Sequence, residues 1–401
     1  MVASSSDLPP VGRPVFAGQG TTIFSIMSAL AVQYGAINLG QGFPDEDGPP
    51  AIRRAAAEVL LRGPNQYPPM RGVIELRRAI ANHAQQFYGL VFDPETQVLV
   101  TSGATEALAA SLAGLTAPGD EVVLIEPAYD SYRPVAELVG TAVRSLRLEP
   151  PYWRLTEEAL NAVLSPRTKL LVINTPLNPV GRVFDAEELS AIANAVQRTG
   201  AYIVCDEVYE HLVFDGRRHI PLMTMPDLME RTVRVGSAGK MFSLTGWKVG
   251  WVSGPARLID LIAKAHQFLT FTTPPALQLG IAHGLSHEMA FPVALTAVLQ
   301  GNRDLLCTGL SEIGFAVVPS EGTYFLAADI SGLTNEPDRV FCERLTREAG
   351  VATIPLSAFF SGGGPDHFIR FAFCKKRSVI EEALSRLRTY FSKSPSNRTV
   401  P

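Results

Sequence analysis

The chain has 401 residues, 46% hydrophobic and 18% charged, with a formal net charge of −4. That length supports a large core and more than one domain. The mixed and slightly acidic charge argues against a nucleic-acid or membrane-surface role, and with no uncharged apolar run of about 18 residues no membrane span is expected.

Met1 to Pro10 lacks a basic segment followed by an apolar stretch, so it reads as a flexible tail rather than a signal peptide. Residues 97–100 read as a strand, and 104–115 as a helix stopped by Pro118-Gly119. Residues 121–125 and 169–173 are strand-like, 187–198 form an amphipathic helix, and 201–205, 232–235 and 249–252 are further apolar strands. Continuous apolar strands separated by helices predict a mostly parallel sheet covered on both faces. Beyond about residue 285 a long helical stretch leads to shorter strands at 322–327 and 367–373, the texture of a smaller α+β domain. The expected division is an N-terminal segment 1–48 packing with the small domain, a large domain 49–284, and a small domain 285–401.

In open α/β sheets ligands bind beyond the carboxyl ends of the strands, and the informative polar residues lie there. Ser102-Gly103-Ala104-Thr105 joins a strand to a helix N-terminus, where free N–H groups suit a phosphate. Tyr129 follows the next strand and is placed to stack on a flat ring. Asn174 to Gly181 is a rigid turn in which Asn178 precedes Pro179, a candidate cis peptide. Asp206 ends a buried-looking strand, where a carboxylate is costly without a positive partner, and Tyr209 follows it. Ser237-Ala238-Gly239-Lys240 brings an amine behind small residues, with Lys248 further on. Nearby cationic charge lowers the pKa of such an amine. Arg370 sits among aromatics in a strand, and its planar fork fits a carboxylate. An amine, a carboxylate and a phenol at strand ends point to pyridoxal 5'-phosphate. Taken singly, each motif also has an ordinary explanation as a cap, a turn, a core aromatic or a structural ion pair.

The four cysteines form no CxxC pair and read as reduced thiols of a cytoplasmic protein. The seven histidines form no HExxH or HxH set, so no catalytic metal is expected.

Over residues 20–387 these segments resemble the fold-type I pyridoxal-phosphate enzymes of the class I/II aminotransferase family. The resemblance is strongest to the branch of methionine aminotransferases and kynurenine/glutamine transaminases. It is carried by Gly20-Thr21-Thr22-Ile23-Phe24, by Ile37 to Asp45, by Asn65 to Gly72, by Ser237 to Trp251 and by Glu321 to Phe325. The resemblance implies an α/β fold whose large domain holds a mostly parallel seven-stranded sheet, plus a smaller α+β domain. It implies that Lys240 forms the Schiff base and shuttles the proton, that Asp206 pairs with the pyridine nitrogen, and that Tyr209 and Asn178 contact the ring oxygen. Tyr129 would stack on the ring, while Gly103, Ala104, Thr105, Ser237 and Lys248 would hold the phosphate. Many relatives have arginine where Lys248 stands; lysine acts as a point charge instead of a fork.

Arg370 would bind the substrate carboxylate with Asn178 and the Gly40 backbone, and Phe24 would line the side-chain pocket. Tyr67 would reach the partner's phosphate in a homodimer with shared active sites. The implied activity is ping-pong transfer of an amino group from methionine, glutamine or an aromatic or kynurenine-like amino acid to a 2-oxo acid. A C–S β-lyase acting on cystathionine or cysteine conjugates, and a succinyldiaminopimelate aminotransferase, are the alternatives. A regulator of this fold would carry a DNA-binding domain, for which the segment before Gly20 is too short.

Overall fold

The structure, a computed structural model, describes residues 12–17 and 20–393; the expected flexible tail lies outside them. A twisted seven-stranded sheet dominates it. Its strands run in the order Val98–Thr101, Gly250–Ser253, Thr232–Ser237, Tyr202–Asp206, Thr168–Asn174, Glu121–Glu126 and Ala142–Arg147. All pairings are parallel except those of Gly250–Ser253, which runs antiparallel to both neighbours. The central strands are apolar on successive residues because helices cover both faces. On one flank, helix Ala256–Leu269 packs on helix Gly103–Leu115; on another, helices Pro50–Arg62 and Ile74–Tyr88 pack against Pro275–His287.

The edge strand Ala142–Arg147 was not among the apolar runs read from the sequence. An edge strand needs little apolar cover, and charge on an edge discourages further pairing. Here Arg144 and Arg147 point to Glu121 and Glu126 of the neighbouring strand at 3.6 and 3.4 Å.

A second sheet, fully antiparallel, has the order Ile354–Pro355, Phe368–Ala372, Phe325–Asp329, Ala316–Val318. The strand expected at 322–327 begins only at Phe325. Thr323 sits at φ 73°, and Gly322 bridges to Val213 instead, so the first residues of that run join a different part of the chain. Ile37–Asn38 pairs in parallel with Val351–Ala352, and the Ala372 N–H donates to the Leu39 carbonyl at 2.6 Å. The N-terminal segment is thereby fastened to the C-terminal part. Among the described residues no helix is long and apolar enough to cross a membrane.

Candidate active site

Four parallel strands of the large sheet end at one crevice, and their carboxyl ends deliver Tyr129, Asn178, Asp206 and Ser237 to it. The cavity there has a volume of about 320 Å³ and is lined by Phe24, Tyr129, Asn178, Asp206, Lys240 and Arg370 among others.

Lys240 follows strand Thr232–Ser237 in the single turn Ala238–Met241. The Tyr324 hydroxyl donates to its carbonyl at 2.9 Å and so anchors the turn. The half-buried amine donates to the Gly42 carbonyl at 3.4 Å and lies over the rings of Tyr209 and Tyr324 at 5.6 and 5.4 Å. Burial lowers its pKa below the ordinary lysine value; Arg370 and Lys248 push the same way, and Cys374 and Asp206 oppose.

Asp206 is buried at the end of its strand. One carboxylate oxygen accepts from the Tyr132 hydroxyl at 2.5 Å and the other from the Val208 N–H at 3.3 Å. Burial still dominates and pushes the carboxyl up to about 6. A buried carboxyl in that condition gains from a cationic partner, and it borders the cavity.

The turn Ser102-Gly103 opens helix Gly103–Leu115, whose first N–H groups have no partner inside the helix. Gly103 adopts φ +80°, and a Cβ there would lie 3.3 Å from the Lys248 ammonium. Gly250 faces the same turn from the antiparallel strand, and its Cβ would come within 2.7 Å of the Gly103 carbonyl carbon. Only glycines allow this approach of strand, turn and ammonium. Glu106 braces the turn from below. One of its oxygens accepts from the Ser102 N–H at 3.0 Å, and the other meets His266 Nδ1 at 3.0 Å. The fully buried His266 also places Nε2 3.1 Å from the Met70 carbonyl, in the segment that carries Tyr67.

Arg370 is 1% exposed, yet it points at the cavity. Nη1 donates to Asn178 Oδ1 at 2.9 Å and Nη2 to the Gly40 carbonyl at 2.5 Å. The guanidinium lies 3.9 Å from the Phe325 ring centre, 5.3 Å from that of Phe24 and 5.0 Å from that of Phe359. Burial lowers its pKa to about 10. No carboxylate is hydrogen-bonded to it, and its Nε has no partner among the described residues. A planar guanidinium held in this way has the fork geometry to take a carboxylate.

Phe24, Ala104, Thr105, Tyr129, Asn178, Asp206, Tyr209, Ser237, Lys240 and Arg370 therefore all border one cavity. Gly103 and Lys248 lie together at its edge, and Gly40 contributes its carbonyl through Arg370. Tyr67 stands apart: it is 85% exposed and packs edge-on against Phe271 at 5.5 Å. The expected Asn178–Pro179 peptide is cis.

Three supporting residues escaped the sequence reading. Tyr132 holds Asp206. Asn174 donates to the Asp206 carbonyl at 2.9 Å and accepts from the Asn178 N–H at 2.8 Å, joining the two strand ends. His266 lies 160 residues from Glu106 in the chain. No spacing rule connects such partners, although Asn174 lies inside a run that was singled out.

Pyridoxal phosphate fits these residues. The underpaired buried carboxyl suits a pyridinium nitrogen, and the glycine-lined turn with its ammonium suits a phosphate. A low-pKa amine lies between them.

The family model for aminotransferase class I and II matches residues 34–387. A probable N-succinyldiaminopimelate aminotransferase of Mycobacterium tuberculosis is 47% identical over 378 residues, covering 92% of this chain and 95% of the relative. The methionine aminotransferase of Escherichia coli is 43% identical over 369 residues, covering 92% and 96%. Kynurenine–oxoglutarate transaminase 1 of Rattus norvegicus is 36% identical over 401 residues, covering 91% and 95%. The solved structure of N-succinyldiaminopimelate aminotransferase from Mycobacterium tuberculosis superposes with a TM-score of 0.92 at 46% identity, covering 95% of this chain and 100% of that one.

Proposed function

The chain belongs to the class I and II aminotransferases, and we propose that its amino donor is an L-amino acid with an uncharged side chain. It is a pyridoxal-phosphate-dependent, fold-type I enzyme acting on amino and oxo acids. The cofactor, when bound, supplies the aldehyde that takes the amino group and the ring that delocalises the charge left by the departing α-proton.

This chain's residues do the rest. Arg370, pinned by Asn178 and Gly40, grips the donor's α-carboxylate and so fixes the α-hydrogen toward Lys240. The Lys240 amine, its pKa lowered by burial, would take that proton and deliver it to the aldehyde carbon of the bound cofactor. Asp206, held by Tyr132, would keep the ring nitrogen protonated. Tyr209 and Asn178 would contact the ring oxygen, and Tyr129 would stack on the ring. Gly103, Ala104, Thr105, Ser237 and Lys248 would hold the phosphate. A 2-oxo acid accepts the amino group by the reverse sequence.

The observation that carries the donor assignment is the company of Arg370. Among the described residues it is the one arginine lining the cavity, and the space beside it is walled by Phe24, Phe43 and Phe325. A donor with a second carboxylate would leave that charge facing rings, at a cost of several kcal/mol. Methionine, glutamine and aromatic or kynurenine-like donors fit. The test is the absorbance of the holoenzyme on mixing with L-methionine, L-glutamine, L-kynurenine or N-succinyl-L,L-diaminopimelate, then with a 2-oxo acid. Loss and recovery of the cofactor band, fastest with an uncharged donor, is expected. Fastest turnover of the succinylated donor would overturn the assignment. Pyruvate and thiol released from cystathionine without an acceptor would mark a C–S lyase.

His266 is expected to matter for the cofactor without touching it. His266→Ala removes the brace between Glu106 and the Met70 segment and leaves buried acceptors unpaired, an effect of about 1–3 kcal/mol. Cofactor affinity, titrated into apoenzyme by fluorescence quenching, should fall by about tenfold or more. An unchanged dissociation constant would show that the cradle holds its shape without the brace.

A homodimer completes the proposal. Tyr67 is too exposed to serve its own cavity, and Phe268, Leu269 and Phe271 are exposed near it, an apolar surface suited to a second copy. For the layout we propose a large domain of residues 49–284 and a small domain of 285–401 joined by segment 1–48. The confinement of the large sheet to 98–253 and the pairing of Ile37–Asn38 with Val351–Ala352 support it. Four free cysteines favour a reducing, cytoplasmic location.

A further inference from the structure

We propose that His83, Glu210 and His211 form a site for one transition-metal ion of the zinc type, behind the catalytic crevice and separate from it. His83 lies on helix Ile74–Tyr88, and Glu210 and His211 directly follow Tyr209. The histidines are 128 residues apart in sequence, yet their Nε2 atoms face each other at 2.7 Å. One donor atom from each of the three residues falls within 4.8 Å of the others. Two ring nitrogens so close require a proton or a cation between them. Separating them to about 3.3 Å gives the spacing of two tetrahedral ligands at Zn–N distances of about 2.0–2.1 Å.

The charge around this group points the same way. Glu207 and Glu210 are both buried, and one arginine, Arg234, serves both. Its Nε donates to Glu207 at 2.6 Å and its Nη2 to Glu210 at 3.0 Å. His219 Nε2 also meets Glu207, at 3.0 Å, while its buried Nδ1 has no partner among the described residues. Two buried carboxylates therefore share one arginine, and Glu210 also lies beside the two histidines.

Two imidazoles and a carboxylate form a mixed set that suits zinc and its neighbours and does not suit magnesium or calcium. Access is available from the side of His211, which is half-buried, and of Phe87, which is 37% exposed and packs at 4.9 Å against both rings. A bound ion would tie helix Ile74–Tyr88 to the segment bearing Asp206 and Tyr209, so its expected effect is on stability.

The test uses chelator-treated holoenzyme with Co²⁺ as a visible-absorbing probe and Zn²⁺ as its competitor. One Co²⁺ per chain with d–d absorption, displaced by Zn²⁺, is expected. Zn²⁺ at about 100 times its dissociation constant should raise the melting temperature by about 3 °C. H83Q and H211Q should each lose the absorption and the thermal shift while keeping the cofactor band and the transamination rate; that band also reports that they fold. A wild-type chain that binds no Co²⁺, or variants that bind it equally, would overturn the proposal, the latter by placing the metal on cofactor or thiols.

Discussion

Lys240→Ala is expected to slow both half-reactions by at least about 10⁴-fold, because it removes the proton carrier and the only amine lining the cavity among the described residues. No neighbour is placed to replace it. Lys248 is exposed beside the Gly103 turn and is not among the residues lining the cavity, and burial pushes the Tyr209 phenol well above its ordinary value, which makes it a poor base at neutral pH. The phosphate cradle and Asp206 remain, so the variant should still take up cofactor. Stopped-flow absorbance on mixing the loaded variant with L-methionine reads the first half-reaction directly. A small amine added to the buffer should restore part of the rate. A rate within tenfold of wild type without added amine would remove Lys240 from the chemistry.

Asp206→Asn should act in opposite directions on catalysis and on apoenzyme stability. Catalysis should fall by about 10²–10³-fold, the usual scale for losing one preorganised electrostatic partner. Stability follows from the raised pKa. The folded carboxyl titrates at about 6 against an ordinary value of 3.8. Between those values the folded chain holds a proton that the unfolded chain has released, so stability falls as pH rises through that window. Above pH 6 the full cost is present, about 3 kcal/mol at 1.36 kcal/mol per unit. An asparagine carries no such cost. Apo Asp206→Asn should therefore melt above apo wild type at pH 8, and the two should converge near pH 4. Cofactor should reverse the order at pH 8, since a pyridinium partner turns the carboxylate's cost into a gain. Equal apo melting temperatures at pH 8 would show that Tyr132 and Val208 already satisfy the charge.

The same carboxylate shows how far a sequence can be read. Asp206 was identifiable because an acid closing a run of apolar strand residues is rare without a partner. Arg370 stood out for the same reason among aromatics. Chain order placed both correctly with respect to the strands, since each strand's apolar run and the polar residues after it are local features. The edge strand Ala142–Arg147 was not legible, because an edge exposes one side and its sequence carries no continuous apolar signal. The late start of strand Phe325–Asp329 was hidden too, because the backbone of Thr323 is set by its distant hydrogen bond to Leu212.

Sequence alone determined the covered parallel sheet, through periodicity, and the family, through the resemblance that its contiguous motifs carry; the same motifs singled out the amine, carboxylate and guanidinium proposed for the site. Tertiary structure alone decided what surrounds those groups. Tyr132 comes to Asp206 from 74 residues away, His266 to Glu106 from 160, and His83 to His211 from 128. Contacts of that span depend on how helices pack on the sheet. A hydrogen bond or a charge imbalance between side chains is a property of their distance in space, which no local pattern encodes.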